Sequence, residues 1–322
     1  NQVKVKSLCV MFDSSDLTWR LPDSKISKTI SSIACALESD TCTLKVWQKL
    51  MGRLNDISQL CSFMKIFKQN VNNCLAGIPS DAHKNTEIHI SEEAKKDLII
   101  WASFLSSDLK WFPISHEHLP PPLWCKEFVS DAAGLPDSAD ALTYPGCGGV
   151  SFFEDGSISF AYQLSWPEFF IQTATDEKNV RFGDKTTTLE TIGLLMPMLL
   201  APELFKQQHV LFKVDCFGTV YAMQNRVSKG DMCASIFIRA VYIIAAYLET
   251  TIHVEQLPRM SDWGAEVADR LSRKSSTTKQ DKKLLGVFSG RKVPTCLTMW
   301  FDNPTINWSL PILLLDHVKN LV

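Results

Sequence analysis

Between residues 126 and 272 the hydrophobic period of the chain switches repeatedly between that of a strand and that of a helix, and the order of the switches restricts the fold more than any other feature. Residues 126–130 read as a short strand. The run GGVSFFEDGSISFAYQL at 148–164 reads as a hairpin with Asp155-Gly156 at its turn, and Gly148 and Gly149 permit a tight entry to it. A helix is predicted over 188–200, where Pro197 is expected to kink or end it. There follow a strand over 209–214, helices over 217–226 and 232–249, a strand over 251–257 and a helix over 262–272. Three strands, then helices alternating with two more strands, specify an α/β domain around a mixed sheet.

The sequence before this region has a different texture. SLCVMFDSSDLTWRL at 7–21 reads as two short strands around an Asp-Ser-Ser-Asp turn, and helical spacing then recurs over 22–37, 44–63 and 92–109. LKWFPISHEHLPPPLW, with four prolines and little periodicity, reads as a linker. The organisation read from these patterns is a hairpin plus helical domain at 1–110, a Pro-rich linker at 111–124, an α/β domain at 125–273 and a tail at 274–322. That tail opens with SSTTKQDKK, read as a mobile basic link, and closes with WSLPILLLDHVKNLV, an apolar segment long enough to dock.

Composition excludes several classes. With 45% hydrophobic and 21% charged residues, the chain is too apolar to be disordered. A formal charge of -2 means that any nucleic acid must be held by a local patch. Ten cysteines show no CxxC and no zinc spacing with the seven histidines, so free thiols in a reducing compartment, cytoplasmic or nuclear, are expected. The sequon at Asn307 weighs less than that pattern. The apolar run at 236–248 is shorter than the roughly 20 residues of a membrane span and reads as a buried helix; no membrane partner is expected. The chain does not begin with Met, which leaves open a longer protein with its targeting signal elsewhere.

Four carboxylates stand at the ends or edges of the predicted elements: Asp131 after the first strand, Glu190 in the first helical turn, Asp215 at the end of the fourth strand and Asp269 in the last helix. Each has an ordinary role open to it. Asp131 can cap a turn, Glu190 can complete a capping box with Thr187, Asp215 can cap the next helix, and Asp269 can pair with Arg273. Yet an α/β sheet brings adjacent strand ends together at a ligand crevice. Crowded carboxylates call for a cation, and all-oxygen ligands favour Mg²⁺ or Mn²⁺ over zinc. Two such ions about 4 Å apart bridge a phosphodiester, which implies metal-dependent hydrolysis.

In sequence, EFVSDAAG, TTLETIGLL, FKVDCFGTVYAM and LPRMSDWGAEVADRLSR resemble, in this order, the metal-ligand motifs of ribonuclease H domains in retroelement reverse transcriptases, DIRS/Ngaro-like or related. Ala268, Asp269, Leu271, Ser272 and Arg273 carry the most specific part of the match. Upstream, SLCVMFDSSDLTWRLPDSKISKTISSI and LKVWQKLMGRLNDISQL resemble the thumb/connection-like segment that follows the polymerase palm, while the polymerase's YxDD-like motif is absent. The resemblance implies an RNase H-like mixed five-stranded sheet flanked by helices, preceded by a mostly helical domain. It also implies two Mg²⁺ or Mn²⁺ ions on Asp131, Glu190, Asp215 and Asp269, and hydrolysis of the RNA strand of an RNA/DNA hybrid.

The chain departs from these relatives in three places. The stretch 135–144 is longer than usual, Cys216 stands where relatives commonly have Asn, and the loop before Asp269 holds no clear histidine, His253 being read as a strand residue. Candidate phosphate contacts are Arg270, Arg273, Lys274 and Lys279 at and beyond the end of the last helix of the α/β domain, and Lys49 and Arg53 on the thumb-like helices. Trp111 and Phe112 read as domain-junction residues. Further partners implied are an upstream polymerase domain or a partner protein. Two other functions belong to other classes: a catalytically silent, domesticated scaffold or binding module, and an integration-type nuclease that ends its ligand set on Glu266.

Overall fold

The computed structural model describes residues 4–7, 10–13, 18–106, 112–113, 125–133, 146–153, 155–167, 170, 186–228, 231–257, 263–273, 278–288, 292–302 and 307–322. The expectations about Trp111, residues 114–124, residues 135–144 and Lys274 lie outside the described residues. The chain divides into two compact units, Asn1–His118 and Leu119–Val322.

In the first unit, β1 (Lys4–Ser7), β2 (Val10–Asp13) and β3 (Thr18–Arg20) pair antiparallel and are joined at the edge by β6 (Phe112–Pro113). The expected helices form as α1 (Asp23–Leu37), α2 (Leu44–Leu60) and α4 (Glu92–Ser106), with a short α3 (Gln69–Asn73) between the last two. A two-strand ribbon of β4 (Thr41–Thr43) and β5 (Glu87–His89), too short to leave a periodic signal, also pairs here. The core of this unit is built on Trp47 and Trp101. Each is fully buried, and each spends its indole N–H on a backbone carbonyl, that of Val71 at 3.2 Å and that of Phe67 at 3.1 Å.

The second unit is organised by one sheet, in which β7 (Lys126–Ala132) lies at the centre. β8 (Gly146–Phe152) and β9 (Ile158–Ser165) extend the sheet antiparallel on one side; β10 (His209–Val214) and β11 (Thr251–Gln256) extend it parallel on the other. The hairpin turn falls at Gly156, where φ is +79°. The intervening helices are α5 (Thr186–Leu200), α6 (Phe217–Asn225), α7 (Met232–Tyr247) and α8 (Trp263–Ser272). This is an RNase H-like fold.

Strand alternation divides the core in two. Val129, Val150 and Ala161 share one register row and meet Val267, Ala268 and Leu271 of α8. On the opposite face Phe128 stacks on Phe205 at 4.7 Å, and α5 and α7 cover the sheet. From Thr188 to Leu199 every residue of α5 is buried, as an apolar helix packed on all sides must be.

One sequence expectation needs correction, and of the two outcomes expected at Pro197 one does not occur. Gly148 and Gly149 lie inside β8 rather than at its entry. A β-carbon on Gly148 would stand 2.6 Å from the backbone carbon of Leu271, so the missing side chain is what lets α8 rest on the sheet. Pro197 does not end its helix, which continues to Leu200. Proline lacks the N–H that would bond the carbonyl of Gly193, and the Tyr162 hydroxyl donates to that carbonyl instead, at 2.6 Å.

The tail differs from its reading only in part: residues 279–283 of the expected mobile link are helical, whereas the apolar segment docks as expected, packing on α7. Lys279–Phe288 forms α9, Thr295–Asp302 forms α10 and Leu310–Lys319 forms α11. Thr278 and Asp281 exchange side-chain-to-backbone hydrogen bonds in a reciprocal cap that starts α9. Trp300 of α10 packs edge-on against Phe237 of α7 at 4.8 Å, and the Arg239 guanidinium lies 4.6 Å over the ring of Trp308. Among the described residues all nine cysteines are free thiols, and no helix is long and apolar enough to cross a membrane.

Candidate functional site

The site lies at one end of the sheet of the second unit and is assembled from three elements. Asp131 is the penultimate residue of β7. β10 runs parallel beside it with Lys213 opposite Val129, so Asp215, the first residue past β10, falls level with Asp131 on the same face. Glu190 arrives from α5 on the other face and accepts a hydrogen bond from the backbone N–H of Ala132. One ligand oxygen from each of Asp131, Glu190 and Asp215 lies within 4.8 Å of the other two. Together they line a cleft of about 550 Å³, whose wall on the α8 side includes Glu266, Asp269 and Arg273.

Why Glu190 reaches this point follows from the packing of α5. Gly193 lies so close to β7 that a β-carbon there would stand 2.9 Å from the hydroxyl of Ser130. That hydroxyl is bonded to Tyr162 at 2.9 Å, and Tyr162 in turn holds the Gly193 carbonyl. With the helix fixed at Gly193, the residue three positions earlier faces the end of the sheet. Glu190 is only 2% exposed, and its Oε2 has no hydrogen-bond partner among the described residues.

The electrostatics of the cluster are those of an uncompensated anion. Burial, with smaller contributions from the charges of Asp215 and Asp269, raises the Asp131 carboxyl to about 6, although a hydrogen bond from Ser272 and the charge of Arg273 oppose the shift. Burial drives Glu190 well above the usual carboxylate range, and Asp131, Asp215 and Cys216 add to the effect. The thiol of Cys147 is fully buried, and burial, with the charges of Glu190 and Asp131, pushes it far up. An orphaned buried oxygen within an all-carboxylate donor set fits a hard divalent cation, which such a cluster needs as its counter-charge.

No protein-family model and no curated protein sequence matches the chain. Among solved structures it is similar to the N-terminal RNase H domain of a Mycobacterium tuberculosis protein, determined as a fusion with maltose-binding protein. The identity is 17%, the match covers 50% of this chain and 98% of that one, and the TM-score is 0.28. So loose an overlay has no bearing on the site, which rests on the sheet order and the carboxylate geometry.

The remaining candidates are placed differently. Asp269 borders the cleft but stands outside the group of three; its carboxylate is paired with Arg273 at 2.8 Å, the i,i+4 pair its spacing allows. Glu266 lines the same cleft one turn earlier on α8. Arg270 is tied to Asp281 at 3.1 Å, and Lys279 is exposed on α9. In the first unit Lys49 is exposed on α2, while Arg53 bonds the Lys28 carbonyl at 2.9 Å and also the Ser32 hydroxyl. The capping role open to Asp215 is not taken: the N-cap position before Phe217 of α6 is held by Cys216, without a side-chain cap.

Cys147, Ser130 and Tyr162 escaped the sequence reading because nothing local marks them. Each sits in a strand with several buried residues, and their relation to Glu190 exists only once the sheet is assembled.

Proposed function

We propose that residues 119–322 form a metal-dependent ribonuclease H that cuts the RNA strand of an RNA/DNA hybrid endonucleolytically. The observation that carries this reading is the convergence of Asp131, Glu190 and Asp215, with one buried Glu190 oxygen left without a partner. Those three residues hold Mg²⁺ or Mn²⁺, and Asp269, across the cleft, completes the set for a second ion. Bound cations supply activation of a water molecule and stabilisation of the leaving oxygen. The chain's own part is to fix the carboxylates on rigid elements and to keep Glu190 away from bulk water.

Phosphate contacts fall to Arg273 beside the cleft, with Lys274 and Lys279 following and Arg270 placing α9 through Asp281. Lys49 and Arg53 give the first unit a second basic surface. The order of the four motifs and the thumb/connection-like sequence before them support an origin in a retroelement reverse transcriptase.

The test is cleavage of a labelled RNA/DNA hybrid in Mg²⁺ and in Mn²⁺, beside an Asp131→Asn, Asp215→Asn double variant and a binding assay on the same hybrid. RNA cleavage that requires the metal and disappears in the double variant is the expected result. Hybrid binding without cleavage by the native chain would overturn the enzyme and assign a domesticated binding module instead.

A further inference from the structure

We infer that Ser272 is a positioning residue for the cation site: it clamps one oxygen of Asp131 and leaves the other for the metal. The inference rests on the reading of Asp131, Glu190 and Asp215 as metal ligands. Ser272 is the last residue of α8, is 1% exposed, and its hydroxyl donates to Oδ2 of Asp131 at 2.5 Å across 141 residues of sequence. The main-chain carbonyl of Asp269 lies 2.9 Å from the same hydroxyl. A serine at a helix end satisfies itself on the carbonyl one turn back, so bonding within the helix explains the second contact and not the first.

The clamp is built from more than the serine. Gly148 is the register partner of Asp131 on β8, and a β-carbon there would stand 2.8 Å from the backbone nitrogen of Ser272. The glycine therefore lets the end of α8 descend to the level of Asp131. Gln163 of β9 donates to the carbonyl of Leu271 at 2.6 Å and anchors the helix end from the side. Two strands thus hold one backbone turn so that one hydroxyl meets one carboxylate.

A carboxylate with one oxygen engaged offers a cation a single defined oxygen, and a buried ligand fixed in one rotamer loses less freedom when the ion arrives. The same helix carries Asp269 three residues earlier, so the clamp also fixes the distance between the Asp269 turn and β7.

The experiment is a Mn²⁺ titration of the full chain, followed by thermal shift and by calorimetry, on the wild type, Ser272→Ala and Ser272→Thr. Loss of one hydrogen bond to a charged group should weaken Mn²⁺ half-saturation about tenfold in Ser272→Ala, and Ser272→Thr, which keeps the hydroxyl, should restore it. On the hybrid, the alanine variant should lose kcat at limiting Mn²⁺ with KM for the hybrid unchanged. Gln163→Leu, which removes the anchor without touching Ser272, should shift half-saturation in the same direction. If Ser272→Ala melts lower without metal but binds Mn²⁺ like the wild type, the serine is merely structural and the inference is overturned. A wild type that does not respond to Mn²⁺ would overturn the metal-site reading as well.

Discussion

Asp131 is pulled in two directions. Burial and the charges of Asp215 and Asp269 favour its proton, while the Ser272 hydroxyl and Arg273 favour its ionised form. Burial wins, at about 6. Because the folded carboxyl holds its proton more tightly than the unfolded one, near 4, the metal-free fold binds the extra proton between those values. Stability is then greatest below about pH 4 with respect to this group and falls as pH rises through about 6, by about 3 kcal/mol. Urea denaturation in chelator should show that decline, and Mn²⁺ should reverse it at pH 7.5. Asp131→Asn should flatten the pH dependence, raise metal-free stability at pH 7.5 and abolish the Mn²⁺ effect; a variant that still gains stability from Mn²⁺ would remove Asp131 from the ligand set. At this scale the sequence singled out four carboxylates, three of which the structure brings together, and was silent about their partners. Ser272 was visible as part of Ala-Asp-x-Leu-Ser-Arg, but its bond to Asp131 depends on a helix landing on a strand far away in the chain.

The helix that carries Glu190 shows how an apparent defect in an element is compensated by its neighbours. Pro197 leaves the Gly193 carbonyl without its helical donor, and Tyr162 on β9 supplies one. The same tyrosine accepts from Ser130 on β7, so one hydroxyl joins two strands to α5 one turn from Glu190. Tyr162→Phe keeps the ring and removes the bond, leaving a buried carbonyl unpaired at a cost of about 1–3 kcal/mol. Chemical denaturation should show that loss, and weaker Mn²⁺ binding should accompany it because the turn bearing Glu190 is released. Unchanged stability would mean that the helix tolerates Pro197 by other means. The sequence located α5, β10 and α7 because each is a largely apolar run whose length separates helix from strand, and β11 because polar and apolar residues alternate from Thr251 to Glu255. It placed the end of α5 at Leu200 without showing how the Gly193 carbonyl opposite Pro197 is satisfied, and it missed α9, whose start depends on the Thr278–Asp281 cap and on Arg270 of the preceding helix.

For the whole molecule, the division into two units carries its own prediction. Each unit has a separate core, Trp47 and Trp101 anchoring the first and the two faces of the five-stranded sheet anchoring the second. Residues 119–322 expressed alone should unfold cooperatively and keep the Mn²⁺-dependent thermal shift, as circular dichroism melts would show; a fragment that is molten in the absence of residues 1–118 would contradict this. The sequence by itself determined the element types, the hairpin turn at Asp155-Gly156 and the mixed α/β character, because these depend on side-chain period and turn chemistry over a few residues. The tertiary structure alone decided that β10 lies beside β7 in the register that sets Asp215 level with Asp131, and that α8 descends over Gly148 to bring Ser272 to the site. Strand order and helix docking are selected by burial shared among distant segments, and no local window of sequence contains that energy.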